Sequence, residues 1–258
     1  MSQNRLPVVA VIIPCHNHGQ FVLNAIKSAT SQDYPAKLVV VIDDGSTDGS
    51  YDIVKNEIQN LTTELPDNAI GGTIEGVSVF LLRNEVAKKQ AFARNRGIKY
   101  AWGGAEIFAI LDADDEYLPT KLSKSVAKIL ENYELIGMVY SDVLIKHLSD
   151  GRIIHEFREP YTRVRLEQEC ITNNAPLFTK LALEVVGVYD EDLPPCEDWD
   201  LAIRVTERFV AVHIPEPLHL YNVTGFNCTI SVPQQTWNEK WTKVRQKLIQ
   251  RHQRNQNH

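Results

Sequence analysis

Apolar residues in this chain come in short unbroken runs, and the stretches between them carry apolar positions at helical spacing. Val8 to Ile13, Leu38 to Ile42, Val77 to Leu82 and Ile107 to Leu111 are the runs of the first half. Nearly continuous apolar character, rich in β-branched residues, predicts strands buried on both faces, as in a parallel sheet. Phe21, Val22, Ala25, Ile26 and Ala29 predict a helix after the first strand, closed by Tyr34-Pro35. A second helix, capped by Ser46 or Thr47, is expected to continue through Ile53 to Leu61. Ala87, Ala91, Phe92, Ile98 and Trp102 mark a third, and the span from Pro119 to Tyr133 a fourth with proline at its start. Thr62 to Gly76, with Pro66, Gly71 and Gly72, reads as a surface loop. The second half is less regular. It predicts a strand over Ile136–Tyr140, a hairpin over Val143–Phe157 and short helices over Arg163–Glu169 and Lys180–Val186. A helix then starts at Pro194-Pro195-Cys196-Glu197, edge strands follow over Val210–Ile214 and Leu218–Tyr221, and Trp237, Trp241, Val244 and Leu248 mark a last helix. Alternating strands and helices predict a layered α/β fold with a mostly parallel central sheet flanked by helices.

Acidic residues cluster where these elements end. Asp112-Ala113-Asp114-Asp115 follows the fourth strand, Asp43-Asp44 the second, and Glu197-Asp198 opens a helix. On extended chain Asp112 and Asp114 point the same way, so their carboxylates repel unless a cation lies between them. Hard oxygen ligands suit Mg²⁺ or Mn²⁺, and carboxyl ends of parallel strands are where open α/β sheets bind ligands. A cation there would take a diphosphate, with Asp43 free to accept from a base N–H or ribose hydroxyls. Asp198, in the other half, suits a general base on a second substrate. Metal on a diphosphate leaving group and a carboxylate that takes a hydroxyl proton together describe glycosyl transfer from a nucleotide sugar.

Composition narrows the choice. The 258 residues are 43% hydrophobic and 23% charged, with a net charge of −6 that argues against a nucleic-acid partner. The charge is uneven: from Trp237 onward one acid faces six Lys/Arg. Cys15, Cys170, Cys196 and Cys228 are far apart, form no Cys-x-x-Cys pair and predict reduced thiols in the cytoplasm. No apolar run has the length to span a bilayer. The first turn, Pro14-Cys15-His16-Asn17, lacks the glycine fingerprint of a dinucleotide site, and no Gly-x-x-x-x-Gly-Lys loop is present.

Six segments in order carry a family resemblance: Val-Ile-Ile-Pro-Cys-His-Asn (11–17), Asp-Asp-Gly-Ser-Thr-Asp (43–48), Ala-Arg-Asn-Arg-Gly-Ile (93–98), Asp-Ala-Asp-Asp (112–115), Glu-Val-Val-Gly-Val-Tyr-Asp-Glu (184–191) and Glu-Asp-Trp-Asp-Leu (197–201). With these the chain resembles the family-2 glycosyltransferases of the GT-A fold up to about Ser231. The resemblance implies inverting transfer from a nucleoside-diphosphate sugar, a UDP-sugar being the expected donor. The implied acceptor is a hydroxyl of a saccharide or lipid-linked molecule, as in polysaccharide biosynthesis. It implies nucleotide and donor binding by Pro14, Asn17, Asp43, Arg94, Asp112 and Ala113, with Asp114 as the main metal ligand beside Asp112. Asp198 is implied as the catalytic base, with Glu197 and Trp199 ordering the acceptor side. The expected division is 1–231 as the transferase domain, with a donor half (1–118) and an acceptor half (119–231), then 232–258 as a basic amphipathic helix and tail. That helix would dock on the domain or touch anionic lipid at the inner face of a membrane.

Some residues have plainer readings. Asp44 is expected to cap its own turn, Asp115 to cap a helix, and Asp48 and Asp200 to sit at helix ends or on the surface. His16 and His18 read as solvated loop residues, and His213 and His219 as possible but unfavoured metal contacts. Asn84-Glu85-Val86 departs from the family's Asn-x-Gly, and Asn222-Val223 stands where a basic residue is common. A non-catalytic relative that binds nucleotide or carbohydrate is the alternative function, and a nucleotidyltransferase on a similar sheet a weaker one.

Overall fold

A computed structural model of the chain describes residues 5–63, 65–172, 175–225 and 227–256. Its first half alternates as the apolar runs require: β1 (Val9–Cys15), α1 (Val22–Thr30), β2 (Lys37–Asp44), α2 (Ser50–Glu57), β3 (Gln59–Thr62), β4 (Ile70–Ile74), β5 (Val77–Asn84), α3 (Gln90–Ala101) and β6 (Ile107–Ile110). The second half holds β7 (Glu116–Tyr117), α4 (Lys121–Glu131), β8 (Ile136–His147), β9 (Ile153–Glu156), α5 (Arg163–Gln168), β10 (Leu177–Thr179), α6 (Lys180–Val186), α7 (Glu197–Thr206), β11 (Val210–Val223), α8 (Cys228–Ser231) and α9 (Gln234–Gln256).

One sheet runs through the molecule in the order β3-β4-β5-β2-β1-β6-β10-β8-β11-β7, with β9 paired to β8. Its centre is the parallel set the apolar runs predict: β5, β2, β1 and β6 pair in parallel, and β8 pairs β11 in parallel. Antiparallel pairs lie at β3-β4-β5, on both sides of β10, and at β7 and β9. Every residue of β1 is buried, and helices cover both faces, so two apolar cores form, one on each side of the sheet. Burial of each such Val or Ile contributes about 1.5–3 kcal/mol.

Glycine sets the helix-to-sheet distance at the site. A Cβ on Gly97 would lie 2.6 Å from Ile42 Cδ1 and 2.7 Å from Ile12 Cγ2. Gly97 therefore lets α3 lie directly on β1 and β2, which carries Arg94, one turn earlier, to the strand ends.

Three expectations change. Thr62–Gly76 is not only loop: β4 pairs antiparallel with β5 and extends the sheet, since Gly71 and Gly72 leave room for close backbone approach. The second helix stops at Glu57 rather than Leu61. The two expected edge strands are one strand, β11, inside the sheet between β8 and β7, with irregular pairing around Pro217.

The basic tail docks on an acidic body. Val244 and Leu248 of α9 are buried in the core that also holds Leu201 and Val205 of α7. Lys247 pairs with Asp190, and Arg251 bonds Glu207 at 2.9 Å and approaches Asp200 at 3.4 Å. Lys240 donates to the Asp192 carbonyl and Arg245 to that of Gln168. Four of the six tail cations are thus engaged with the body, Asp200 being buried rather than at the surface. Among the described residues no helix is long and apolar enough to cross a membrane. Cys15, Cys170 and Cys196 are free thiols; the side chain of Cys228 lies outside the described residues.

Candidate active site

A cleft of about 870 Å³ opens at the carboxyl ends of β1 and β6. Pro14, Asn17, Arg94, Asp112, Ala113, Asp114 and Asp198 line it, so residues from four separated segments meet there. The expected residues Asp43, Glu197 and Trp199 are buried behind its wall, at 1%, 0% and 3% exposure.

The wall at β1 and β2 is built by turn chemistry. Asn17 has a left-handed backbone, φ 56°. Its N–H donates to Ser46 Oγ at 3.0 Å, and its Oδ1 accepts from Thr47 N–H at 2.8 Å, tying the two strand-end loops together. Gly45 makes the tight turn, φ 70°, where a Cβ would meet Ala87 N at 2.7 Å. Beyond Arg83 Nε at 3.5 Å from Oδ2, neither Asp43 oxygen has a hydrogen bond of ordinary geometry. Burial raises the Asp43 pKa, with Ser46 and then Arg83 pulling the other way. Asp44 does not cap its own turn. It accepts from Asn84 Nδ2 at 2.6 Å and Lys88 N–H at 3.0 Å, anchoring the segment after β5. Arg96 also bonds Asn84 Oδ1.

The acids after β6 are parted by a turn, Asp115 N–H donating to the Asp112 carbonyl at 3.0 Å. Asp112 and Asp114 face the cleft, while Asp115 turns inward and is 1% exposed. Asp115 is not a helix cap. It accepts from Asn222 N–H at 3.0 Å and lies 3.0 Å from His219 Nε2, fastening β11. His219 is fully buried, its pKa pushed down to about 3 by burial and by Lys121, and its contact with Asp115 gives it a place in the scaffold. His213 likewise turns to Asp142, at 2.7 Å, which also takes His155 at 3.1 Å. Burial, then Asp115, push Asp114 up to about 7. Asn227 donates to Asp114 Oδ2 at 3.2 Å and Asn222 to its backbone oxygen at 2.8 Å. His18 Nε2 is 3.7 Å from Oδ2.

Arg94 lies farther inside than a residue that only approaches a nucleotide. Its Nη2 donates to Asp112 at 2.7 Å and its Nη1 to Glu197 at 2.8 Å, with 3% of the side chain exposed. Burial opposes the cation, but Asp112 first and Glu197 next outweigh it and hold the guanidinium pKa above its ordinary value. Gln90 Nε2 adds a bond to Glu197 at 2.6 Å. A guanidinium fork suits two carboxylates at fixed angles, where a lysine would not. Glu197 therefore fastens the first turn of α7 to the end of β6. Asp198, next in that turn, reaches the cleft, with Oδ1 accepting its neighbour Trp199 N–H at 2.7 Å. Burial raises its pKa. Trp199 packs in the core and donates through Nε1 to Leu166 O at 2.6 Å.

The donor set suits a hard cation shared with a ligand. Among the described residues no three His, Cys, Asp or Glu side chains converge into a protein-only metal cage. Mg²⁺-like ions instead take one or two carboxylates and complete their shell with water and phosphate oxygens. Asp114 and Asp112 fit that role, because a cation would relieve the crowding that drives the Asp114 pKa up.

Sequence reasoning named Asn222 only as a departure from a basic residue and did not single out Asn227. It read His16 and His18 as solvated loop residues near the nucleotide; both line the cleft, with His16 exposed and its Nδ1 2.8 Å from the Asp44 carbonyl. Trp237, read as part of a docking stripe, lines the cleft as well.

Comparison with known proteins bears on the family and the fold. The E. coli UDP-Glc:alpha-D-GlcNAc-diphosphoundecaprenol beta-1,3-glucosyltransferase WfgD is 30% identical over 153 residues, 59% of this chain and 51% of that protein. The chain spans from about a third to two-thirds of the first curated relatives it matches. S. aureus TarS 1–349 in complex with UDP-GlcNAc superposes with a TM-score of 0.67 at 18% identity, over 88% of this chain and 61% of that one. The mannosyltransferase PcManGT from Pyrobaculum calidifontis, in complex with GDP-Man and Mn²⁺, gives 0.60 at 21%, over 84% and 57%. These structural likenesses establish the GT-A fold. The profile of glycosyl transferase family 2 matches residues 10–179, and this chain belongs to that family.

Proposed function

We propose that the protein is an inverting glycosyltransferase that moves a sugar from a nucleoside-diphosphate sugar to a hydroxyl of a saccharide or lipid-linked acceptor. The observation that carries this reading is the convergence of Asp112, Asp114 and Asp198 on one cleft with Pro14 and Asn17. The donor lies against residues 1–118 and the acceptor against 119–231. The base stacks along the Pro14–Asn17 wall, with Asp43 behind it as acceptor for a base N–H. UDP is the expected nucleotide, in keeping with the UDP sugars named for WfgD and TarS. Asp114 and Asp112 would hold Mn²⁺ or Mg²⁺, which supplies neutralisation of the charge on the leaving diphosphate. PcManGT, crystallised with Mn²⁺, supports a divalent ion.

Asp198 takes the proton of the acceptor hydroxyl. Its oxygen then attacks the anomeric carbon, and the carbon–oxygen bond to the diphosphate breaks on the opposite face. A single in-line displacement inverts the anomeric centre. The raised pKa of Asp198 brings its basicity closer to that of a working base near neutrality. Glu197 and Arg94 hold the turn that aims it. The acceptor named for WfgD is lipid-linked, and the same class is our reading for this chain.

A panel of nucleotide sugars, each with Mn²⁺ or Mg²⁺, is screened by thermal shift and then for slow hydrolysis of the hit. The proposal expects one nucleotide to stabilise the protein only with metal. Asp198→Asn should then lower transfer about 10²–10⁴-fold and leave nucleoside diphosphate binding, by calorimetry, within about twofold of wild type. Normal transfer by that variant would remove Asp198 from its role.

A further inference from the structure

The tail helix does more than cover a core face. Lys240, Lys247 and Arg251 tie α9 to Asp192, Asp190, Asp200 and Glu207, residues of α7 and of the segment leading into it. Asp198 stands in the first turn of that same α7. The clamp therefore sets the start of α9 in a fixed relation to the proposed base. At that start is Trp237, which is partly buried against the core that α7 shares and also lines the cleft. Trp241 meets it edge-on, ring centroids 6.4 Å apart, which holds the indole plane. Pro195 and Asp198 line the cleft from the segment that Lys240 secures. Trp237 lies well outside residues 10–179, the span shared with the family profile.

A partly exposed, braced indole beside hydroxyl-bearing wall residues has a specific ligand chemistry. The C–H face of a pyranose is apolar and slightly positive, and the face of an aromatic ring is negative, so the two stack. The ring hydroxyls at the sugar's edge need polar partners, and Thr229, Ser231 and Tyr221 line the same cleft. Trp237 shares that cleft with Asp198, and Lys240 ties α9 to the segment before α7, so the pyranose assigned to Trp237 is the one whose hydroxyl is to lose a proton. We propose that Trp237 is the stacking platform for the acceptor sugar. On this reading α9 is a working part of the acceptor subsite, which family likeness does not transmit. The proposal rests on the functional reading above, whose acceptor it narrows to a molecule with a pyranose at the reacting end.

The test titrates methyl α- and β-pyranosides of glucose, galactose, mannose and N-acetylglucosamine into the full chain holding UDP and Mn²⁺. Pyranoside affinity and UDP binding are read by calorimetry for wild type, Trp237→Phe and Trp237→Ala, with tryptophan fluorescence recorded alongside. At least one pyranoside should shift the wild-type emission. Its affinity should fall about five- to tenfold in Trp237→Ala and stay within about threefold in Trp237→Phe, which keeps an aromatic face. Trp237→Phe should also lose the spectral shift, because the indole that reports stacking is gone. Equal pyranoside affinity in Trp237→Ala and wild type overturns the proposal. So does the absence of any wild-type response, or a loss of UDP binding in Trp237→Ala with no pyranoside effect. Failure of the wider functional reading shows elsewhere, as a wild-type protein with no metal-dependent nucleotide-sugar hydrolysis.

Discussion

Two strands of the sheet end in adjacent aspartates, and the pairs have the same division with different outcomes. At β2, Asp44 anchors the segment after β5 through Asn84 and Lys88, while Asp43, buried directly behind the cleft wall, keeps oxygens without an ordinary hydrogen bond. At β6, Asp115 anchors β11 through Asn222 and sits beside His219, while Asp114 opens onto the cleft. At β2 the two neighbours lie on extended chain and point to opposite sides; after β6 a turn parts them. One acid of each pair can thus fasten an irregular segment while the other stays available to a ligand. The lesson is that an acid beside a candidate ligand acid is a scaffold candidate, and solvent exposure does not tell the two apart.

Substitutions that separate the two jobs probe this division, beginning with the largest effect. Asp114→Asn should lower transfer at least about 100-fold and leave the melting temperature unchanged or raised. Its carboxylate is already disfavoured by burial and by Asp115. A clear loss of stability would put Asp114 in the scaffold instead. Arg94→Gln strips the cation from the buried chain joining Asp112 to Glu197. Urea denaturation should report a loss of about 3–5 kcal/mol, with Arg94→Lys recovering only part because it lacks the fork. A loss under about 1 kcal/mol would mean the chain is not a strut.

Next, Asp115→Ala leaves a buried imidazole and a buried N–H unpaired and should cost about 2–3 kcal/mol. Asp44→Ala, whose partners lie nearer solvent, should cost about 1–2 kcal/mol by the same measurement. The reverse order would break the ranking of the two anchors. The smallest effect concerns Lys121, fully buried under α4, donating to Ser141 at 3.2 Å, with burial pushing its pKa down to about 7. Between pH 7 and 10.5 the unfolded chain holds a proton there that the folded chain has released. Stability should therefore rise with pH across that window, and below it the full penalty remains. Lys121→Met should flatten that slope and stabilise the protein at pH 6 by about 1–2 kcal/mol; an unchanged slope assigns the dependence to other groups.

The parallel strands at the centre were legible because the runs Val9–Ile13, Val39–Ile42 and Ile107–Ile110 are fully buried and carry no polar residue to blur the pattern. The acids at their ends were legible for the same reason, since any charge directly after such a run stands out. What stayed hidden depends on partners far along the chain. Nothing near Asp115 tells that Asn222 and His219 will meet it, and nothing near Arg94 that Glu197 will. Gly71 and Gly72 read as loop because a glycine that admits a neighbouring backbone looks, in sequence, like a glycine that turns. The basic tail suggested docking on the domain or a lipid surface, and its partners Asp190, Asp200 and Glu207 are too far off in sequence to be read as facing it.

The place of β10 bears on how the chain is made. It stands between β6 and β8, antiparallel to both, although α4 and β8 come between β6 and it in the chain. While the protein emerges from a ribosome, the parallel set of β5, β2, β1 and β6 can assemble early. The outer edge of β6, wholly apolar, then has no partner until Thr179 has been added. For that interval the nascent chain offers an open, flat, hydrophobic edge, the kind that recruits another strand. Slow synthesis between residues 111 and 179 should thus favour aggregation of this protein, and a chaperone that binds extended apolar segments should find its target there.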